Sequence, residues 1–335
     1  MELLRLKCPV CHSADTQYHS PYTTKNHGGR VIYKCENCPA YFSETKNTLL
    51  EGLKTPVSVI WQVIKARTEG MGLNAATRTF NKAKNTILAW ERKFIDLYQV
   101  LYLYALVHEF LELVIEGDEA YTKVQKNVSP DQSPGWTILL MDRASRFIWE
   151  LDCGKKDRKL FQKAIKSLDR IARHTQNLSI FTDGERRYGN LLFEISNELV
   201  KNGKPGRPKK TFKRGVHFRM KNKGSQTHKK GRKRPKYQSP WMEHPETART
   251  IEETDIHANH AEAFFSALRR KCATFRRKTN MYAKSTKGLQ RLLRVYWVVH
   301  NFLRVHFTTR EVPAVALGIL ERRLSVQEIF QMQVA

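Results

Sequence analysis

Acidic residues are in short supply. The chain has 335 residues, with 32 Asp and Glu against 59 Lys and Arg, a formal charge of +27. A field of that one sign draws polyanions, and nucleic acid is the expected partner. Long apolar runs are missing too. The longest, around Val100 to Val107, falls far short of the roughly 20 residues of a bilayer span. A membrane-spanning helix is therefore excluded from the reading, and no membrane partner is expected. The opening MELLRLKCPVC carries no apolar segment of signal length. The expected location is the cytoplasm, on DNA. Cysteine is sparse, with 6 in all, too few for a disulfide-stapled chain of this length. Enough remains to bury a core, 41% hydrophobic and 10% aromatic residues, which excludes whole-chain disorder. The length allows one large domain with smaller modules.

Four of the six cysteines form two pairs, Cys8-Pro9-Val10-Cys11 and Cys35-Glu36-Asn37-Cys38, each preceded by a lysine. Two residues between thiolates let both sulfurs reach one tetrahedral ion, and four thiolates close its shell. Residues 1–45 are expected to be a zinc ribbon with a structural Zn2+ on Cys8, Cys11, Cys35 and Cys38. A redox C-x-x-C would need a flanking βαβ pattern and no second pair.

Residues 46–110 read as helical. Thr55 and Pro56 open a helix carrying Ile60, Val63, Ile64 and Arg67 at helical spacing. After Gly70-Met71-Gly72, a short helix over 74–80 and a longer one from Lys84 through Trp90 and Phe94 suggest a helix-turn-helix. Its second helix would read a DNA groove with Lys82, Lys84, Asn85 and Thr86. A plain helical hairpin linking two modules fits the same pattern. Residues 97–113 continue as an apolar, Tyr-rich helix.

The period then changes, and 111–335 reads as one mixed α/β domain. Strands are expected over 113–121, 136–141 and 146–151, the last two joined by the turn Asp142-Arg143-Ala144-Ser145. An amphipathic helix over 157–173, a fourth strand over 178–182 and a helix over 185–200 follow. Residues 201–240 break the order as an inserted basic arm. Between 201 and 236 stand sixteen Lys and Arg and no acidic residue. Within it, Arg207 lies between two prolines and ahead of Lys209 and Lys210, which suits an extended backbone delivering Arg to a narrow minor groove. Generic phosphate binding by the arm is the alternative. Helices are expected over 257–275 and 289–307, the second with Arg291, Arg294 and Arg304 in solvent.

Three carboxylates stand where an α/β nuclease needs them: Asp118 in the first strand, Asp183 at the end of the fourth, and Glu262 on the helix after the arm. In a ribonuclease-H-like sheet the first and fourth strands are neighbours, and a later helix can lay a third acid beside them. Hard oxygen ligands of this kind suit two Mg2+ (or Mn2+) ions that stabilise the attacking and leaving oxygens of a phosphodiester displacement. Glu116 shares the strand face of Asp118 and is an alternative ligand. Glu119 could be a solvated edge charge, Asp183 before Gly184 a turn residue, and Glu262 a partner of Ser266 or Arg269 on its own helix.

The order of ribbon, paired helices, strand-one Asp, Thr182-Asp183-Gly184 and His257-Ala258-Asn259-His260-Ala261-Glu262 resembles the bacterial insertion-sequence DDE transposases of the IS-one-like group. Phe275-Arg276-Arg277-Lys278-Thr279-Asn280 and Tyr296-Trp297-Val298-Val299-His300-Asn301-Phe302 belong to the same likeness, which covers nearly the whole chain. The resemblance implies a ribonuclease-H-like core with catalytic Asp118, Asp183 and Glu262. It implies that the protein acts on double-stranded DNA, element ends and target, as a homo-oligomer. Arg269 matches the basic residue such enzymes set near the cleaved strand end, and Arg270, Arg276 and Arg277 are further DNA contacts. His257, Asn259 and His260 would support the site or touch DNA. The interval from Asp183 to Glu262 is longer than the family pattern because of the arm. A non-catalytic, sequence-specific regulator derived from a transposase is the other functional reading.

Overall fold

The computed structural model describes residues 4–25, 28–125, 128–201, 203, 205–221, 251–276 and 280–334. The chain parts into two compact units. One joins Met1–Ala105, Lys271–Ala273 and Arg291–Ala335, and the other joins Leu106–Arg270 and Thr274–Gln290. The C-terminal segment, grouped on sequence with the core, thus packs with the N-terminal helices.

The first unit opens on three antiparallel strands, β1 (Thr16–Thr24), β2 (Gly28–Cys35) and β3 (Tyr41–Ser43), in that order. Their core is small, Cys8, Cys35 and Phe42 with Leu6, Tyr33, Cys38 and Ala40 against them. Helices α1 (Val57–Arg67), α2 (Leu73–Phe80) and α3 (Lys84–Leu106) follow. Asn81, left-handed at φ 47°, ends α2 and turns the chain into α3, a conformation that asparagine tolerates. Helix α3 stops at Leu106 instead of running on to 113, because Phe110 already pairs in a strand.

Against these lie residues 291–302 of α7 (Thr286–Phe302) and the short helices α8 (Pro313–Ala316) and α9 (Val326–Gln331), which complete the helical unit. Trp297 of α7 meets Tyr98 edge-on, with centroids 4.7 Å apart, and Phe330 of α9 meets Phe94 at 5.7 Å. The arginines expected in solvent are used in packing. Arg294 is buried with its guanidinium 3.8 Å from the Tyr98 ring centre, a cation–π contact. Arg304 donates to Glu69 and Thr68. Arg291 and Arg67 both bind Glu91 of α3, each through Nε at 2.8 Å, and Glu91 has no exposed surface.

The second unit is built on β4 (Phe110–Tyr121), β5 (Trp136–Asp142), β6 (Ile148–Gly154), β7 (Thr175–Thr182) and β10 (Val216–Met220). They form a five-stranded sheet in the order β10-β7-β4-β5-β6. Pairs β4–β7 and β7–β10 are parallel, whereas β4–β5 and β5–β6 are antiparallel, so β5 alone opposes the other four. Strands β5 and β10 and most of β6 and β7 are buried without alternation, the mark of a sheet covered on both faces. Helix α4 (Arg158–Ala172), capped by Asp157 on the Leu160 amide, buries Leu160, Phe161, Ile165, Leu168 and Ile171. Helix α5 (Arg187–Ile195) brings Gly189 so close to Phe218 of β10 that a Cβ there would stand 2.5 Å from the ring. Helix α6 (Asn259–Lys271) comes next among the described residues, with a 3-10 turn at Ala273–Phe275 completing the span read as one helix.

The basic arm is thus corrected in part. The helix expected over 185–200 ends at Ile195, and β8 (Asn197–Val200) pairs with β9 (Lys209–Phe212) as an antiparallel ribbon. Strand β10 falls inside the same span. Its run Val216-His217-Phe218-Arg219-Met220 is buried throughout, and the surrounding lysines hid it from a reading by composition. Residues 222–250 lie outside the described residues. No described helix is long and apolar enough to cross a membrane.

Candidate active site and metal centre

Among the described residues, two groups bring at least three ligand-capable side chains together: Cys8, Cys11, Cys35 and Cys38, and Glu116, His257 and His260.

The cysteine group could bind a structural zinc ion. Its ligand atoms all lie within 4.8 Å of one another, with Sγ of Cys8 3.6 Å from Cys38 and Sγ of Cys11 3.5 Å from Cys35. Four sulfurs each about 2.3 Å from a tetrahedral ion need spacings of this size. The backbone turns towards sulfur, the Val10 amide lying 3.4 Å from the Cys8 Sγ. Burial works against the Cys8 thiolate, but the amides of Cys11 and Val10 and the neighbouring sulfurs outweigh it and bring its pKa down to about 7. Cys38 has the Ala40 amide in favour of its thiolate, yet burial and the other three sulfurs push it up to about 12. The donor set and its spacing fit zinc.

The acids of the sheet unit are ordered by register. On the parallel pair β4–β7, Gly117 stands opposite Thr182. Asp118, still within β4, and Asp183, just past the end of β7, are the next residue on each strand, at the same level of two adjacent central strands. Both are half-buried. The Asp118 side chain accepts from the Glu119 amide at 2.8 Å, and its carbonyl accepts from the Tyr188 hydroxyl at 3.4 Å. Burial first, and the acids Glu119 and Asp118 next, raise the Tyr188 pKa well above its ordinary value, so this phenol stays a hydrogen-bond donor. Glu262, exposed, lies in the first turn of α6. Asp118, Asp183 and Glu262 do not form one of the close groups above.

The neighbours of Asp118 divide by face, as a strand requires. Glu119 points with Gly117 to the side of α5. It is no solvated edge charge: Lys156 Nζ sits 2.6 Å from its carboxylate, and burial raises its pKa against that pairing. Glu116 points with Asp118 to the side of α6. Its carboxylate is fully occupied, with no exposed surface. Oε2 accepts from the amides of His260 and Ala261 at 2.9 and 3.0 Å, and Oε1 accepts from Arg143 Nε at 2.8 Å and meets His260 Nδ1 at 2.7 Å. His257 Nδ1 lies further off, 3.5 Å from the same oxygen, and Arg143 also donates to the His257 carbonyl at 2.7 Å. Burial, then the Arg143 charge, lowers the His257 pKa. A cation on Glu116 would have to displace a guanidinium and two amides, so the group reads as a closed polar cluster. Glu116 is not a free ligand competing with Asp118. Arg143, read on sequence only as part of a turn, is the residue that sequence reasoning missed. The other polar residues of the turn, Asp142 and Ser145, satisfy each other, but nothing in the sequence sets Arg143 apart from Arg146.

The nucleic-acid candidates are scattered. Lys84 and Asn85 open α3 and are exposed. Arg207, Lys209 and Lys210 are exposed as well, the two lysines on β9. Arg269 is half-buried on α6, two turns beyond Glu262, and Arg270 and Arg276 are exposed. Arg277 lies outside the described residues. No family model and no curated protein matches the chain.

Proposed function

We propose that this chain is a DNA transposase of the DDE kind, with a ribonuclease-H-like core. The observation that carries the reading is the register pairing Gly117 with Thr182, which puts Asp118, within β4, and Asp183, one residue past the end of β7, at the same level of two adjacent strands. The sheet order, with β5 alone antiparallel, is the order of a ribonuclease-H-like core and supports it. Glu262 follows in the first turn of a helix whose opening amides bind Glu116 of β4, two residues before Asp118.

The donor set fits hard divalent cations, since the three acids offer only oxygen and keep exposed surface. Asp118, Asp183 and Glu262 would hold Mg2+ or Mn2+. Bound there, such ions supply Lewis-acid stabilisation to both oxygens of an in-line displacement. Lys84 and Asn85 would enter a groove of the element's ends, Arg207, Lys209 and Lys210 would neutralise phosphates, and Arg269 would steady the cleaved strand. Hydrolysis frees a 3'-hydroxyl, and that hydroxyl attacks target DNA. Two ends must be held together, which calls for an oligomer. The four-cysteine module is a structural zinc ribbon in this reading.

The test uses the purified chain, labelled DNA from the borders of its own gene, and Mg2+. Wild type should nick at the element ends. Asp183→Ala, compared at equal DNA occupancy, should lose on the order of a hundredfold or more, since even outer partners of metal ligands cost about 10- to 100-fold. If both proteins bind the ends and neither nicks with Mg2+ or Mn2+, the regulator reading replaces this one.

A further inference from the structure

Glu116 does two things that a core acid has no need to do. It reaches across from a central strand to take two successive amides of another element's first turn, and it does so from the strand face that Asp118 shares. Helix N-termini leave such amides unpaired, and a carboxylate there is favoured by the helix dipole. The cap for α6 is thus supplied by the sheet, at 2.9 and 3.0 Å, instead of by the residue that precedes the helix. Ala258, just before the helix, has no side-chain acceptor, and the Asn259 amide points to His257 Nδ1 at 3.4 Å.

The cap is itself fixed. Arg143 comes from the loop between β5 and β6. Its amide donates to the Val114 carbonyl at 2.7 Å and its guanidinium stacks 4.7 Å from the Phe181 ring centre of β7. It then donates to Glu116 on one side and to the His257 carbonyl on the other. The segment entering α6 and the first turn of α6 are therefore bound to one buried ion pair anchored on three strands.

We infer that Glu116 and Arg143 form a mount that positions helix α6, and with it Glu262 and Arg269, against β4 at the level of Asp118. Glu116 is then a positioning residue and not a ligand. The catalytic part of this inference rests on the transposase reading, whereas the mount itself does not. The sequence offers the same logic in reverse. A strand acid two places before Asp118 and two histidines around Asn259 would pass for extra ligands, yet each already has its partner.

The experiment measures amide hydrogen exchange and nicking on the full chain for wild type, Glu116→Gln, Arg143→Met and the double substitution. In Glu116→Gln, exchange over 257–264 should quicken about ten- to a hundredfold, the factor implied by losing one charged hydrogen bond to a buried group. Peptides of β5 and β7 should keep their protection. The turnover for nicking should fall by a similar factor while affinity for end DNA stays unchanged, the split a positioning role requires. Arg143→Met, which leaves the core acid in place, should loosen the same segment and carries the test if Glu116→Gln does not fold. The double substitution should loosen it less than the two single effects combined, because a charge left without its partner costs more than removal of both. Unchanged exchange over 257–264 with nicking abolished would make Glu116 a ligand and overturn the mount. Additive effects would overturn the pairing with Arg143. If wild type fails to nick while the exchange pattern holds, the mount stands and the transposase reading falls.

Discussion

In the helical unit the buried carboxylate of Glu91 is held by two guanidiniums; in the sheet unit the buried carboxylate of Glu116 is held by one guanidinium, one imidazole and two helix amides. Both have no exposed surface. The first ties α1 to α7, chain segments far apart in sequence, and the second ties a loop and a helix to a central strand. The difference follows from what surrounds each acid. The helical unit gathers three stretches of chain around an apolar core that includes Ile64, Phe94, Leu97, Leu293, Trp297 and Phe330, and Glu91 adds a charged tie between two of those stretches. The sheet unit already has an apolar core on both faces, with Leu139, Leu140, Trp149, Leu151, Ile180 and Phe218 fully buried, so its buried acid is free to orient an element instead of holding the unit together.

The largest test of that difference is removal of the zinc ion that the four cysteines could bind. Structural zinc sites of this type contribute on the order of 10 kcal/mol of apparent binding free energy, and the core behind the ribbon is only Cys8, Cys35 and Phe42. A chelator strong enough to strip the cysteines should unfold β1, β2 and β3 and leave the sheet unit folded, read by hydrogen exchange of both units in one sample. Loss of protection across both units would break the comparison.

Glu91→Ala comes next. It leaves buried Arg67 and half-buried Arg291 with no carboxylate, and breaking a buried pair in this way costs about 3 to 5 kcal/mol. Denaturant unfolding should show that loss in the transition reported by Trp61, Trp90 and Trp297. A cost below about 1 kcal/mol would mean that the helical unit is held by its aromatic contacts, Tyr98 with Trp297 and Phe94 with Phe330, and not by charge.

Much of this architecture was legible in residue patterns. The paired cysteines, the strands around Asp118 and Asp142, and the amphipathic α4 each carry a local signal, a spacing or a period, that no other element could imitate. Three features had none. Strand β10 is five residues long and sits among lysines, so composition outweighed its apolar run. Arg291, Arg294 and Arg304 have the spacing of a solvated helix face, and only their partners Glu91, Tyr98 and Glu69 show that the face is buried. Glu116 and Arg143 stand 27 positions apart, and their joint role exists only once β4, β5 and α6 meet. Pairing of this kind is a property of topology, which periodicity does not encode. Of the candidate site, the pairing of the strands that lead to Asp118 and Asp183 could be expected from a ribonuclease-H-like strand order, whereas the means of docking the helix that bears Glu262 could not.

The smallest effect is expected at Gly189, where two forces oppose each other. Alanine is the better helix former by about 1 kcal/mol, and Gly189 lies inside α5, so local propensity favours Gly189→Ala. Packing opposes it. The added Cβ would meet Phe218 at 2.5 Å, and Phe218 has no exposed surface and so no solvent to swing into. Overpacking of a filled core costs about 1 to 3 kcal/mol, which exceeds the gain, and the net loss should be about 1 kcal/mol in the unfolding of the sheet unit. That loss should be removed by Phe218→Leu in the same chain, because the smaller side chain makes room for the methyl. If Gly189→Ala instead stabilises the protein, β10 is not packed firmly on α5, and the apolar closure that distinguishes the sheet unit from the helical one would end at β7.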